Sequence, residues 1–140
     1  MKQTFIMLML LVSGTLGAQH RLTVAVDGIE EIEGTIYVAV YDAETFLQKP
    51  VYRAIAKVEG EEVSIVMDSI APGRYAVSLF HDANGNGKLD TGSFGIPVEK
   101  TGFSNNAAGA YGPPAFEDCR FDVEDDTVIY VTLRSYEMPH

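Results

Sequence analysis

Thr35-Ile36-Tyr37-Val38-Ala39-Val40 sets a large aliphatic side chain at every second position, and that period of two decides the fold. Successive side chains of a strand point to opposite faces, so Ile36, Val38 and Val40 share one face, whereas a helix would scatter them. Leu22, Val24 and Val26 alternate in the same way with Thr23 and Ala25, and Val63, Ile65 and Met67 with Glu62 and Ser64. Arg53 to Val58 is a weaker strand, joined to the next through Glu59-Gly60-Glu61, and Arg74 to Phe80 follows an Ala71-Pro72-Gly73 turn. Cys119 to Val123 and Thr127 to Leu133 complete the set, with Glu124-Asp125-Asp126 as the turn between them. About seven short strands with turn signals and no amphipathic helix predict an all-β chain, a single antiparallel β-sandwich. Val24, Val38, Ile65, Val77, Phe121 and Ile129 are expected in its core. Asp42 to Pro50 could hold a single helical turn and is read as a loop.

Between positions 82 and 118 the alternation stops, and glycine recurs at 85, 87, 92, 95, 102, 109 and 112. A connection this long inside one domain points to function or disorder. Phe94, Ile96, Phe103, Tyr111 and Phe116 supply apolar surface that disordered tracts lack. The segment therefore reads as a long ordered Gly-rich loop, its aromatics anchored on the body of the domain rather than displayed to solvent.

The loop opens with His81-Asp82-Ala83-Asn84-Gly85-Asn86-Gly87-Lys88-Leu89-Asp90. Oxygen side chains at alternate positions around a glycine are the front half of a calcium loop. Asp82, Asn84 and Asn86 take its first, third and fifth places, Gly87 the sharp turn, Lys88 the place that donates a backbone carbonyl, and Asp90 the ninth. Ser93 stands where a bidentate Glu would close the shell, so a later carboxylate is needed. Glu99, Glu117 and Asp118 are the nearest downstream, and spacing does not choose among them. The competing reading is a solvated Asn-Gly turn, since the same residues are ordinary turn formers.

Met1-Lys2-Gln3-Thr4 leads into an apolar run from Phe5 to Val12, followed by small residues up to Ala18. That order describes a secretory signal peptide over residues 1–18, with cleavage expected near Ala18-Gln19, leaving one domain over 19–140. No cysteine follows the apolar run and no later stretch is long enough to span a bilayer, so a secreted or periplasmic chain without a lipid anchor is expected. A net charge of −10 disfavours nucleic acid and anionic membranes as partners. Cys119 is the single cysteine; it is expected to be buried and inert, with no internal disulfide.

The loop motif continues into Phe94-Gly95-x-Pro97-x-Glu99, Gly102-Phe103-Ser104-Asn105-Asn106-Ala107 and Pro114-x-Phe116, and Pro72-Gly73-x-Tyr75-Ala76-Val77 precedes it. Over roughly Leu22 to Leu133 this resembles a family of secreted bacterial proteins catalogued as domain of unknown function 2141. The resemblance implies a small extracytoplasmic β domain and no particular activity. Cys119 stands where that family would lead one to expect a small residue such as Ala. The Pro-Gly-x-Tyr pattern is also similar to transthyretin-like sandwiches, so either an immunoglobulin-like or a transthyretin-like arrangement is expected.

Two functions follow. One is a calcium-stabilised binding or structural module that presents its loop to a protein or glycan of the cell envelope. The alternative is an extracytoplasmic hydrolase using the loop as its active site. No catalytic residue can be assigned: His81 is the only informative histidine, and it reads best as a strand-end residue that hydrogen-bonds the loop. No Ser-His-acid or Cys-His arrangement can be claimed from spacing, and nothing near His81 and Cys119 has the short paired spacing of a zinc site.

Overall fold

The computed structural model describes residues 18–91, 98–109 and 112–135. The expected signal peptide therefore lies outside the described residues apart from Ala18, as do Phe94, Ile96 and Tyr111. Among the described residues there are eight strands: β1 (His20–Asp27), β2 (Thr35–Tyr41), β3 (Tyr52–Lys57), β4 (Val63–Ile70), β5 (Gly73–Asp82), β6 (Thr101–Phe103), β7 (Phe121–Val123) and β8 (Thr127–Thr132). A 3₁₀ turn at Ser104–Asn106 and one helical turn, α1 (Phe116–Cys119), lie between β6 and β7. Strands β4-β1-β8 make a three-stranded sheet, and β3-β2-β5-β6 a second sheet of five strands in which β7 pairs with β5. The chain is all-β, as its alternation predicts.

One buried cluster draws on both sheets. Leu22, Val24 and Val26 from β1 meet Ile36, Val38 and Val40 from β2, Ile65 and Met67 from β4, Val77 and Leu79 from β5 and Val131 from β8. Of the six residues expected in the core, Val24, Val38, Ile65 and Val77 are buried, while Phe121 and Ile129 pack against the cluster from its margin.

Three expectations are corrected. First, β1 and β8 run parallel, with Leu22 opposite Thr127 and Asp27 opposite Thr132. β7 pairs with β5 and β8 with β1, so Glu124–Asp126 carries the chain from one sheet to the other instead of closing a hairpin. Second, the strand expected from Cys119 begins only at Phe121, because Cys119 ends α1. Glu117 and Asp118 in the first turn of α1 suit the positive end of a helical turn. Third, the segment from 82 to 118 contains β6, the 3₁₀ turn and α1 rather than irregular chain alone.

A bulge explains where the alternation of β4 breaks. His20 pairs with Ile70 but Leu22 with Met67, so β4 carries one residue more than β1 there. Ser69 takes the extra place at φ 66°, which returns Ile70 to the core at 1 % exposure. The Asp42 loop is a run of turns capped by its own first residue: the Asp42 carboxylate accepts from the N–H groups of Glu44 and Thr45, at 3.1 and 3.0 Å.

The motif Ser104-Asn105-Asn106 works as a clamp. Ser104 Oγ, fully buried, accepts the Val77 N–H at 2.9 Å and donates to the Cys119 carbonyl at 2.6 Å. Asn105 Nδ2 donates to the carbonyls of Asp118 and Arg120, and Asn106 Oδ1 accepts the Thr132 N–H. Polar side chains here replace the backbone ladder that irregular chain cannot form. Phe116 joins through edge contact with Phe46, which packs in turn on Tyr41. Phe103 and Phe116 are half-buried, the anchoring role expected of the loop's aromatics.

Candidate functional site

β5 delivers the loop to its place. Its inward phase continues through Tyr75, Val77 and Leu79 to His81, so Asp82 falls on the opposite face, where the loop folds back over it. Asp82 is 0 % exposed. Its carboxylate accepts the N–H groups of Asn86 at 3.2 Å and Gly87 at 2.7 Å. Asn84 Oδ1 accepts the same Asn86 N–H, and Asn86 Oδ1 accepts that of Lys88, each at 3.1 Å. Side-chain oxygens at alternate residues thus hold a tight right-phase turn, with Gly85 and Gly87 in the left-handed conformation, at φ 72° and 80°.

The far side of the loop closes on Asp90. Asn84 Nδ2 and Asn86 Nδ2 donate to its two carboxylate oxygens, each at 2.6 Å. These bonds, Asn84 first and then Asn86, with the nearby charge of Lys88, hold the Asp90 carboxyl below its ordinary range. A depressed carboxyl stabilises the folded loop at neutral pH and loses that contribution as acid titrates it below the ordinary carboxylate range.

Of the three downstream carboxylates, Glu99 is the one hydrogen-bonded to the loop. Its Oε1 accepts the Asp90 N–H at 3.0 Å. Its Oε2 is buried and has no hydrogen-bond partner. Glu117 is instead paired with Arg120 on the surface at 3.2 Å, and the Asp118 carbonyl is held by Asn105. Hydrogen bonds therefore link Asp82, Asn84, Asn86, Lys88 and Asp90 in one turn, and Glu99 is the downstream carboxylate bonded to it.

Two features bear on whether this cradle fits a cation. Among the described residues no Lys, Arg or His forms an ion pair with Asp82, yet a buried carboxylate is costly without opposite charge. The bare Glu99 Oε2 adds a buried acceptor without a donor. No group of three or more His, Cys, Asp or Glu side chains suited to a metal is found among the described residues. The donors here are carboxylate, amide and carbonyl oxygens, the hard mixed set that calcium takes.

His81 is 4 % exposed and its Nε2 donates to the Glu33 carbonyl at 2.6 Å. With Glu99 it lines a small cavity of about 220 Å³. This bond ties β5 to the connection before β2.

Cys119 is fully buried. Burial, with a smaller push from Asp118, raises its thiol to about 11, so thiolate is scarce at neutral pH. Native protein is expected to react with a thiol reagent at pH 7 at least about 100-fold more slowly than urea-unfolded protein. Equal rates would place the thiol on the surface.

A family model described as an uncharacterized protein conserved in bacteria (DUF2141) matches residues 24–130. No curated protein and no solved structure matches the chain.

Proposed function

Given that the chain belongs to this uncharacterised bacterial family, we propose that it is a calcium-stabilised β-sandwich exported from the cytoplasm, serving as a binding or structural module of the cell envelope. The observation that carries this reading is the buried Asp82 carboxylate, with no ion pair among the described residues, at the head of a loop that also gathers Asn84, Asn86, Asp90 and Glu99. Calcium would take oxygens from Asp82, Asn84, Asn86, the Lys88 carbonyl and Asp90, with Glu99 or water closing the shell. A half turn of each Asn amide exchanges its NH₂ for its oxygen, so the side chains that now donate to Asp90 would present acceptors to an ion in exchange for the bonds those oxygens now accept from the Asn86 and Lys88 N–H groups. The ion would supply charge compensation and a rigid loop, with no chemistry of its own.

The sandwich reading rests on the two sheets sharing one core. Export is supported by the expected signal sequence. The hydrolase alternative needs a base beside the loop, and the Nε2 bond to Glu33 leaves His81 only its Nδ1 for that role.

Calorimetric titration of chelator-treated protein tests the ion. Few formal charges and mostly single-oxygen ligands predict a dissociation constant on the order of 10⁻⁵ to 10⁻³ M. At ten times that concentration calcium adds only about 1.4 kcal/mol, so the domain folds without it. Asp82→Ala combined with Asp90→Ala should abolish the heat of binding. No binding at millimolar calcium, or unchanged binding in the double variant, leaves only a solvated turn.

A further inference from the structure

The outer face of the five-stranded sheet carries a groove of about 980 Å³ that the ion loop does not explain. Antiparallel partners point to the same side of a sheet, and the register lays out one row across it. Tyr37 lies opposite Phe80, Phe80 opposite Thr101, and Thr101 opposite Arg134 just beyond β8. All four line the groove. The Tyr37 and Phe80 rings stack with centroids 5.1 Å apart and planes within 11°. In the next row Ala39 faces Ser78, and their small side chains leave a depression beside that aromatic floor. At about 4.8 Å per strand, Arg134 stands roughly 10 Å from Phe80.

Arg134 gives the groove its sign. The guanidinium is exposed and one Nη donates to the Asn106 carbonyl, which orients it and leaves further N–H groups free. Although the chain has 20 acidic residues, no carboxylate pairs with Arg134 among the described residues. The other cation on the rim, Lys100, is neutralised by Glu30.

We propose that this groove binds an amphipathic monoanion, with a carboxylate or similar head on Arg134 and an apolar chain or ring along Tyr37 and Phe80. A planar guanidinium fork suits a carboxylate. An apolar floor with one placed charge at its end is the usual economy of a small-molecule site, and the volume lies within the usual range. Nothing here depends on the ion.

The test is a titration with octanoate, followed by calorimetry and by amide chemical shifts, in calcium and again in chelator. Octanol and octylammonium serve as neutral and cationic counterparts. Octanoate is expected to saturate and to shift β2, β5 and β6, and to bind at least about ten-fold tighter than octanol, with octylammonium weakest. Arg134→Gln should remove the preference for the anion while leaving weak apolar binding. Ser78→Phe should block the depression without entering the core. Should that variant lose its native circular dichroism, Ala39→Leu fills the same place with less bulk. Absence of saturable octanoate binding overturns the proposal, as do equal affinities for acid and alcohol or an Arg134→Gln variant that keeps its selectivity. Concentration-dependent dimerisation that buries the same shifted amides overturns it too, in favour of a second copy of the chain.

Discussion

Gly34→Ala is expected to destabilise the protein by about 3 kcal/mol, lowering its melting temperature by roughly 10 °C. Gly34 lies between β1 and β2 at φ 76°, a conformation that costs an L side chain about 1 kcal/mol or more. A Cβ there would also stand 2.2 Å from the Asp82 carbonyl oxygen and 2.8 Å from Ala83 Cα. Both neighbours are backbone and cannot rotate away, so β5 must move. Two other glycines separate the contributions. Gly85 has φ 72° and open space around it, so Gly85→Ala should cost only the conformational part, about 1 kcal/mol. Gly60 has an ordinary φ, and an added Cβ would meet only Glu62 O at 3.9 Å, so Gly60→Ala should be near neutral. Chemical denaturation of the three variants reads this order directly. Gly34→Ala should also weaken calcium binding, because the displaced backbone belongs to the first ligand. Equal effects at positions 34 and 60 would contradict the close approach on which the loop is seated.

Asp82→Asn should destabilise the protein far more in calcium than in chelator. Without the ion, the wild-type carboxylate is buried with no ion pair among the described residues, and asparagine removes that charge but keeps an acceptor for only one of the Asn86 and Gly87 N–H groups, which bond to different oxygens. The lost hydrogen bond offsets the removed charge, so the variant is expected to lie within about 1 kcal/mol of wild type in chelator. In calcium it loses the charge at the innermost ligand, and affinity should fall by roughly thirty-fold, equivalent to about 2 kcal/mol. Thermal melts in chelator and in 10 mM calcium, run on both proteins, check the difference. A variant destabilised equally in both conditions would mean that Asp82 serves only the turn.

Much of the fold was legible because half-buried strands write their periodicity into the chain. β1, β2, β4, β5 and β8 each show it, and their inward residues make the common core. Alternation states which face is buried and says nothing about which strand lies alongside, so the parallel pairing of β1 with β8 left no local signal. β6 has three residues with Gly102 at its centre, too short to show a period. Cys119 followed the phase of Phe121 and Val123 by coincidence of spacing, while its backbone closes a helical turn. At the site, the alternating oxygens and glycines were readable because an Asx-stabilised turn is a local structure. Glu99 was not distinguishable from Glu117 and Asp118, since its approach to Asp90 depends on how the chain returns to β6. The groove was missed for a related reason. Tyr37 and Phe80 occupy the outward phase of their strands, and an aromatic there was the only cue; their stacking and their line to Arg134 exist only once the strands are in register.

The most direct measurement is a crystal structure of the protein grown in calcium, with the ion identified from its anomalous scattering. An ion is expected at 2.3–2.6 Å from oxygens of Asp82, Asn84, Asn86 and Asp90 and from the Lys88 carbonyl, with Glu99 Oε2 turned to the same centre directly or through one water. A loop in which Asn84 and Asn86 still donate to Asp90 at saturating calcium, with no ion between them, would contradict it.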